Sequence, residues 1–434
     1  MSRNLNINVH HVTRVEGHGN IVVDVKNGVL RKAELDIVEP PRFFEAMMKG
    51  RSFLEAAIIT SRICGICSLG HQMTSLKATE AALGIEISEQ TLLLRKILVH
   101  GATFQSNVLH ALFLAAPDFL NVGSVFPLIE THKEVVLAAL RLKRLANDIG
   151  DVISGRAVHP ITCVPGGFTQ LPTEEQLSEL REKLVNQGLP DALFALDVLD
   201  SVKGEVPNFE RETEYISLYS DQEYGLYDGV IYSSDAGKIP VEDYLKVTNE
   251  FIVPHSTSKH TRFNRSSYMV GALARFNNSY HLLRPEAQKA AQKLGLKAPS
   301  HNPYHITLAQ MVEVVHCIVD TIDLIDRLLA KGIRPEKPNQ EITRYGRGVG
   351  ATEVPRGILF HDYTYNRKGM IEKANCIIPT GQNLANIDDD MKKLVPEVIS
   401  ESKETITKKL EMLVRAYDPC ISCSVHMLDV KFVE

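Results

Sequence analysis

Between residues 21 and 39 the chain alternates apolar and polar side chains on both sides of Asn27-Gly28. Alternation buries one face of a strand, and Asn-Gly suits a tight hairpin turn, so two antiparallel strands are predicted there. Elsewhere apolar residues recur at three- and four-residue spacing, the mark of helices. This spacing predicts a helix over 42–60, long helices over 90–114, 126–149 and 306–330, and a helical stretch over 388–417. Thr173-Glu-Glu-Gln176 has the form of a capping box and opens a helix over 173–186. Residues 215–238, rich in Tyr, Gly and Asp, predict short or irregular β structure. Residues 346–379 predict strands, with aromatic alternation in Leu359-Phe-His-Asp-Tyr-Thr-Tyr365. With no internal repeat, low-complexity tract or linker, 1–434 reads as a single, mainly α domain with small β additions.

Composition narrows the function classes. The 434 residues are 44% apolar and 23% charged, with a net charge of −5, which gives no reason to expect nucleic-acid binding. No run approaches the roughly 18 apolar residues of a membrane helix; the stretch 108–116 is short and interrupted by His110. Met1-Ser-Arg-Asn-Leu-Asn6 lacks the apolar core of a signal peptide. Seven cysteines, an odd number in a long chain, argue against a secreted disulfide framework. A cytoplasmic location is expected, unless a partner's signal exports the complex. Cys163, Cys317 and Cys376 are scattered and expected to be buried small hydrophobes.

The remaining four cysteines form two CxxC pairs near opposite ends of the chain. One lies in Arg62-Ile-Cys-Gly-Ile-Cys-Ser-Leu-Gly-His71, where a loop meets a helix expected to start at His71. The other lies in Asp418-Pro-Cys-Ile-Ser-Cys-Ser-Val-His426. Four thiolates suit a soft transition metal, and only the complete fold brings these two pairs together. A structural zinc site is the plain alternative, but its ligands are typically close in sequence, in segments too short to build a core. A redox dithiol explains one pair and not two. His71, one helical turn past Cys67, suits an outer-shell role on a thiolate sulfur. His426 suits a ligand to another ion or a hydrogen-bonding group equally well.

With Arg14-Val-Glu-Gly-His18, Glu353-Val-Pro-Arg-Gly357 and Pro379-Thr-Gly-Gln-Asn383, these motifs make five in order along nearly the whole chain. Together they resemble the large, catalytic subunit of a [NiFe] hydrogenase, with an ending similar to the cytosolic NAD(P)-linked, sulfhydrogenase-type branch. The resemblance implies the helical-bundle body of that subunit type and reversible oxidation of H2. It implies nickel held by Cys64, Cys67, Cys420 and Cys423, with Cys67 and Cys423 bridging to an iron that carries carbon monoxide and two cyanides. Arg356 then covers the open face of the metals, Thr380 donates to a cyanide, Pro355 packs beside the carbon monoxide, and Asp418 pairs with Arg356 or orients a cysteine. Glu16 is implied as the proton gate. Glu45 and His426, with the carbonyl of Cys376, are implied to hold a magnesium-like ion. Many relatives place an acid in the canopy over the metals; here Gln105-Ser-Asn107 puts Ser106 there, so the arginine's surroundings and the oxygen response are expected to differ.

No further cysteine cluster exists to carry electrons away. Gly346-Arg-Gly-Val-Gly350 sits by strands with no following helix and is not read as a dinucleotide fingerprint. The resemblance therefore implies an iron–sulfur small subunit near Glu16 and the first CxxC, FAD- and NAD(P)-binding diaphorase subunits beyond it, and sulfur or polysulfide reduction as a side activity. It implies that 427–434 is a tail removed by a maturation endopeptidase after nickel-insertion factors have acted. An H2 sensor, a cysteine-less structural relative of the quinone-site subunit of respiratory complex I, and a plain zinc protein are the alternatives. The tail argues against the first and the four cysteines against the second.

Overall fold

The computed structural model describes residues 4–426. Helices Glu89–Val108 and Ile306–Lys331 pack on one another, Lys133–Ser154 packs on the first, and Leu189–Val202 packs on both 133–154 and 306–331. Their apolar faces, with those of Pro379–Val398 and Lys403–Ala416, join one buried cluster running from Leu5 to Val425. Local chemistry starts these helices. The Thr173 hydroxyl accepts from the Gln176 N–H, and the Gln176 side chain accepts from the Thr173 N–H. Ser88 and Ser402 cap their helices by accepting from Thr91 and Thr405.

Strands Gly19–Lys26 and Val29–Ile37 form the expected hairpin, turning at Asn27 (φ 53°) and Gly28 (φ 77°). They lie in a five-stranded sheet with Leu5–Val9 on one side and Ser256–His260 and Phe251–Val253 on the other. Glu214–Tyr219, Val230–Ser233 and Gly237–Ile239 supply the short β structure expected there. The 346–379 segment is a meander of Arg347–Val354, Gly357–Tyr365 and Ile371–Ile377, laid on helix Ser68–Leu83. Here the glycine-rich stretch finds its reason. A Cβ on Gly348 would lie 2.2 Å from the Ala82 nitrogen, and one on Gly350 would lie 2.3 Å from the Thr74 carbonyl oxygen. Glycine lets this strand press onto the helix that follows Cys67.

Several boundaries differ from the periodicity. The 42–60 helix is two short ones, Phe44–Met48 and Ala56–Thr60, because Gly50 and Arg51 exchange backbone hydrogen bonds with Ile371 instead. The 388–417 stretch is split by a new start at Ser402, and its first helix begins at Pro379. The main helix of 126–149 begins at Lys133. His71 lies inside a helix that starts at Ser68. One helical run bears on the membrane-length expectation. The helical run Glu89–Phe119 has the length and apolar composition of a membrane span, and 72% of its most apolar window is buried inside the fold. His110 does not break the run: its ring nitrogens face the Gln310 side chain and the Arg415 carbonyl. The expected tail at 427–434 lies outside the described residues.

Candidate metal centre

Cys64 ends a helical turn, Ser61–Ile63, in extended backbone, and Cys67 caps helix Ser68–Leu83. The Cys67 N–H points back at Cys64 Sγ, 3.3 Å away, so the pair is held around one point. The second pair follows helix Lys403–Ala416. The chain reverses there through Asp418 at φ 50°, a left-handed position that Asp tolerates better than most side chains, and Cys420 opens the turn Ile421–Ser424.

This reversal brings the four sulfurs within 4.8 Å of one another, all buried. Cys420 Sγ lies 3.6 Å from Cys64 Sγ and 2.7 Å from Cys423 Sγ. The thiols of Cys420, Cys423 and Cys64 hydrogen-bond a thiolate on Cys67 and hold it well below the ordinary thiol range, with His71 acting in the same direction. The same contacts hold Cys420 well above it. A lowered Cys67 gives this buried group a tendency to negative charge.

Arg356 faces this charge from the tip of the hairpin between Arg347–Val354 and Gly357–Tyr365. Its Nε donates to the Asp418 carbonyl and its Nη2 to Asp418 Oδ1 at 2.8 Å. Its Nη1 is buried with no hydrogen-bond partner among the described residues, although Asp418, Cys420, Cys67 and Cys64 all raise its hold on its proton. A buried, unpartnered N–H on a cation beside four thiols fits an anionic group bound there. Thr380 accepts from the Cys420 N–H at 2.9 Å, which leaves its hydroxyl proton to donate. Pro355 precedes Arg356 at the same tip.

Glu16 pairs with the second CxxC through its backbone and places Oε2 3.2 Å from Cys420 Sγ. The Ser422 N–H, at 3.2 Å, and the Ser422 hydroxyl donate to the same carboxylate. Glu45 Oε1 forms an ion pair with His426 Nδ1 at 2.7 Å, yet among the described residues neither carboxylate oxygen of Glu45 nor that nitrogen has a partner with hydrogen-bond geometry. A buried carboxylate and imidazole so placed fit a shared cation. Cys376 is close enough to feel the Glu45 charge.

The sequence profile of the nickel-dependent hydrogenases matches residues 42–134 and 219–426. The chain belongs to this family. Sulfhydrogenase 1 subunit alpha of Pyrococcus furiosus is 35% identical over 98% of this chain and 98% of its own length. Sulfhydrogenase 2 subunit alpha of the same organism is 33% identical over 97% and 99%. The structure of an NAD+-reducing [NiFe] hydrogenase in the H2-reduced state superposes with a TM-score of 0.87 at 26% identity, covering 97% of this chain and 99% of that one. The donor set of this hydrogenase chain, four thiols at one point, fits nickel and iron.

Other parts of the hydrogenase centre were not legible in the motifs. Arg275, buried on helix Ala272–Ser279, donates to Glu313, to Glu353 and to the carbonyls of Val354 and Pro355. Asn383 donates to the Arg356 carbonyl at 3.4 Å. The carbonyls of the arginine's hairpin tip are therefore held from beneath. Burial pushes the Glu353 carboxyl up to about 7, and Glu313 opposes its charge. Arg275→Met would leave Glu313 and Glu353 without their cation, at a cost of about 3–5 kcal/mol. Chemical denaturation of this variant is expected to read a loss of that size. His71 Nδ1 meets His361 Nε2 at 3.1 Å, and His361 continues to Tyr363 and Ser75. The alternation in 359–365 put His361 and Tyr363 on one strand face, but nothing local paired them with His71. Glu250 faces His426 Nε2 at 3.3 Å and also binds Lys259. Ser106 is buried and its hydroxyl has no hydrogen-bond partner among the described residues. Cys163 and Cys317 are buried in the apolar core, as expected of small hydrophobes.

Proposed function

We propose that this chain is the catalytic subunit of a [NiFe] hydrogenase that interconverts H2 with two protons and two electrons. The observation that carries the reading is the convergence of two distant CxxC pairs beneath the free N–H of a buried arginine. In this reading Cys64 and Cys420 would hold nickel, and Cys67 and Cys423 would hold both nickel and an iron carrying carbon monoxide and two cyanides. The metals, when bound, supply the redox chemistry. The protein holds their surroundings. Arg356, oriented by Asp418, offers Nη1 to negative charge developing over the site. Thr380 and Pro355 line the place for the diatomic ligands, and His71 steadies Cys67. Glu45 and His426, with the Cys376 carbonyl, hold magnesium.

Glu16 takes the proton from the sulfur side at Cys420 and passes it outward, with Ser422 holding the carboxylate in place. Glu16→Gln keeps an oxygen for the Ser422 donors and removes the titrating group. H2 oxidation is expected to fall by about 10²- to 10⁴-fold, as for loss of a general base. Nickel content should be unchanged, and exchange of H2 with solvent deuterium should fall in step.

Electrons leave through an iron–sulfur small subunit, then through FAD- and NAD(P)-binding diaphorase subunits. Exposed Val158 adjoins His159, which binds Ser61 and Ser68 on either side of the first CxxC, and with exposed Ile161 would offer that subunit an apolar seat. The relatives named sulfhydrogenases support polysulfide reduction as a side activity. We further take the chain as one domain in the cytoplasm, its seven cysteines free and buried. Nickel-insertion factors load it, and an endopeptidase then removes 427–434.

Infrared spectroscopy of the assembled, processed complex, with metal analysis, tests the central reading. Bands from iron-bound carbon monoxide and cyanide, with one nickel per chain, are expected. Zinc in place of nickel, without those bands, would overturn it.

A further inference from the structure

A second set of metal-ligating side chains lies apart from the cysteines. His255 Nε2 lies 3.0 Å from Asp388 Oδ2, and His260 Nε2 lies 3.3 Å from the same oxygen. The three ligand atoms all fall within 4.8 Å of one another. Imidazole nitrogens and a carboxylate oxygen each about 2.0–2.2 Å from one ion stand about 3–3.5 Å apart. The observed separations are thus those of neighbouring corners of a coordination shell.

The surroundings match. Asp388 Oδ1 accepts the Leu35 N–H at 2.9 Å, which fixes the carboxylate and leaves Oδ2 to the imidazoles. Glu34 Oε2 stands 3.6 Å from His255 Nδ1, on the far side of the ring from Asp388. A carboxylate behind a ligating imidazole is the usual means of fixing its tautomer. Asp36, two residues on along strand Val29–Ile37, has Oδ1 buried without a hydrogen-bond partner among the described residues. Lys32, paired with Glu34 at 2.7 Å, is the lysine at this cluster of carboxylates. The other His-and-carboxylate group, His100, His316 and Asp320, is less suited because the Arg284 cation already neutralises Asp320 through Oδ1 at 2.5 Å.

We propose that His255, His260 and Asp388 bind one borderline divalent transition metal, zinc by donor type, at a site separate from the four-cysteine centre. The ion joins three parts of the fold: the hairpin of Phe251–Val253 and Ser256–His260, helix Pro379–Val398, and, through Leu35, strand Val29–Ile37. The same hairpin holds the end of the second CxxC, because Ser258 donates to the Ser424 carbonyl at 2.9 Å and Lys259 binds Glu250 beside His426. Three protein ligands leave a coordination position for water, and His255 is partly exposed to supply it.

The test uses the assembled complex, stripped with a chelator, given zinc sulfate and desalted. One zinc per chain is expected beyond that retained by the double variant His255→Gln/His260→Gln, and each single variant should lose at least ten-fold in zinc affinity. Nickel content and circular dichroism confirm that the variants assemble. If they do not, X-ray absorption at the zinc edge of the wild-type complex decides independently. A shell of nitrogen and oxygen with two imidazoles supports the site. Sulfur in the shell, a single imidazole, or equal zinc in wild type and double variant overturns it.

Discussion

Cys420→Ser is expected to yield a chain that keeps its helical body, binds nickel and iron at well under a tenth of stoichiometry, and shows no H2 turnover above background. The sulfur lies at the meeting point of the centre, 3.6 Å from Cys64, 2.7 Å from Cys423 and 3.2 Å from Glu16 Oε2. A serine hydroxyl is a harder donor that stays protonated at neutral pH, so it offers neither the charge nor the softness that holds nickel. The fold does not depend on this atom. The backbone pairing of Glu16 with Cys420 and the Thr380 bond to the Cys420 N–H need no side chain at 420. Metal analysis and H2 uptake, read with circular dichroism, check both halves. Full nickel in the folded Cys420→Ser chain would mean that the metal is held elsewhere.

Arg356→Lys is expected to do the opposite: keep nickel and iron, and lose H2 oxidation by on the order of 10²- to 10³-fold. Arginine spends Nε and Nη2 on the main chain and side chain of Asp418 and still has Nη1 left, with no acceptor among the described residues. Lysine has one nitrogen on a flexible stem. It can satisfy Asp418 or face the metals, not both in this geometry. The loss should fall on kcat, since the group acts on charge that develops during the reaction. Turnover measured against nickel content separates this result from the cysteine variant. Activity within three-fold of wild type would remove the guanidinium from the mechanism.

How much of this was readable along the chain depends on distance in sequence. The hairpin at Asn27-Gly28 and the capping box at Thr173 were legible because their chemistry is complete within four residues. The four cysteines were legible because spacing within each pair advertises a ligand set. The broken helix over 42–60 was not, because the backbone around Gly50 is taken by strand Ile371–Ile377. Helical periodicity carries no sign of a competitor so far along the chain.

The sequence by itself determined the four-thiol set, the family and the mainly helical body, since these follow from motifs and from local periodicity. The tertiary structure alone decided that Arg275, Glu313 and Glu353 hold the tip bearing Arg356, that His361 meets His71, that Glu250 meets His426, and that two histidines converge on Asp388. Each of these depends on side chains from separate elements meeting in a buried place. There an unpaired charge is costly, and packing, not neighbouring residues, chooses the partner.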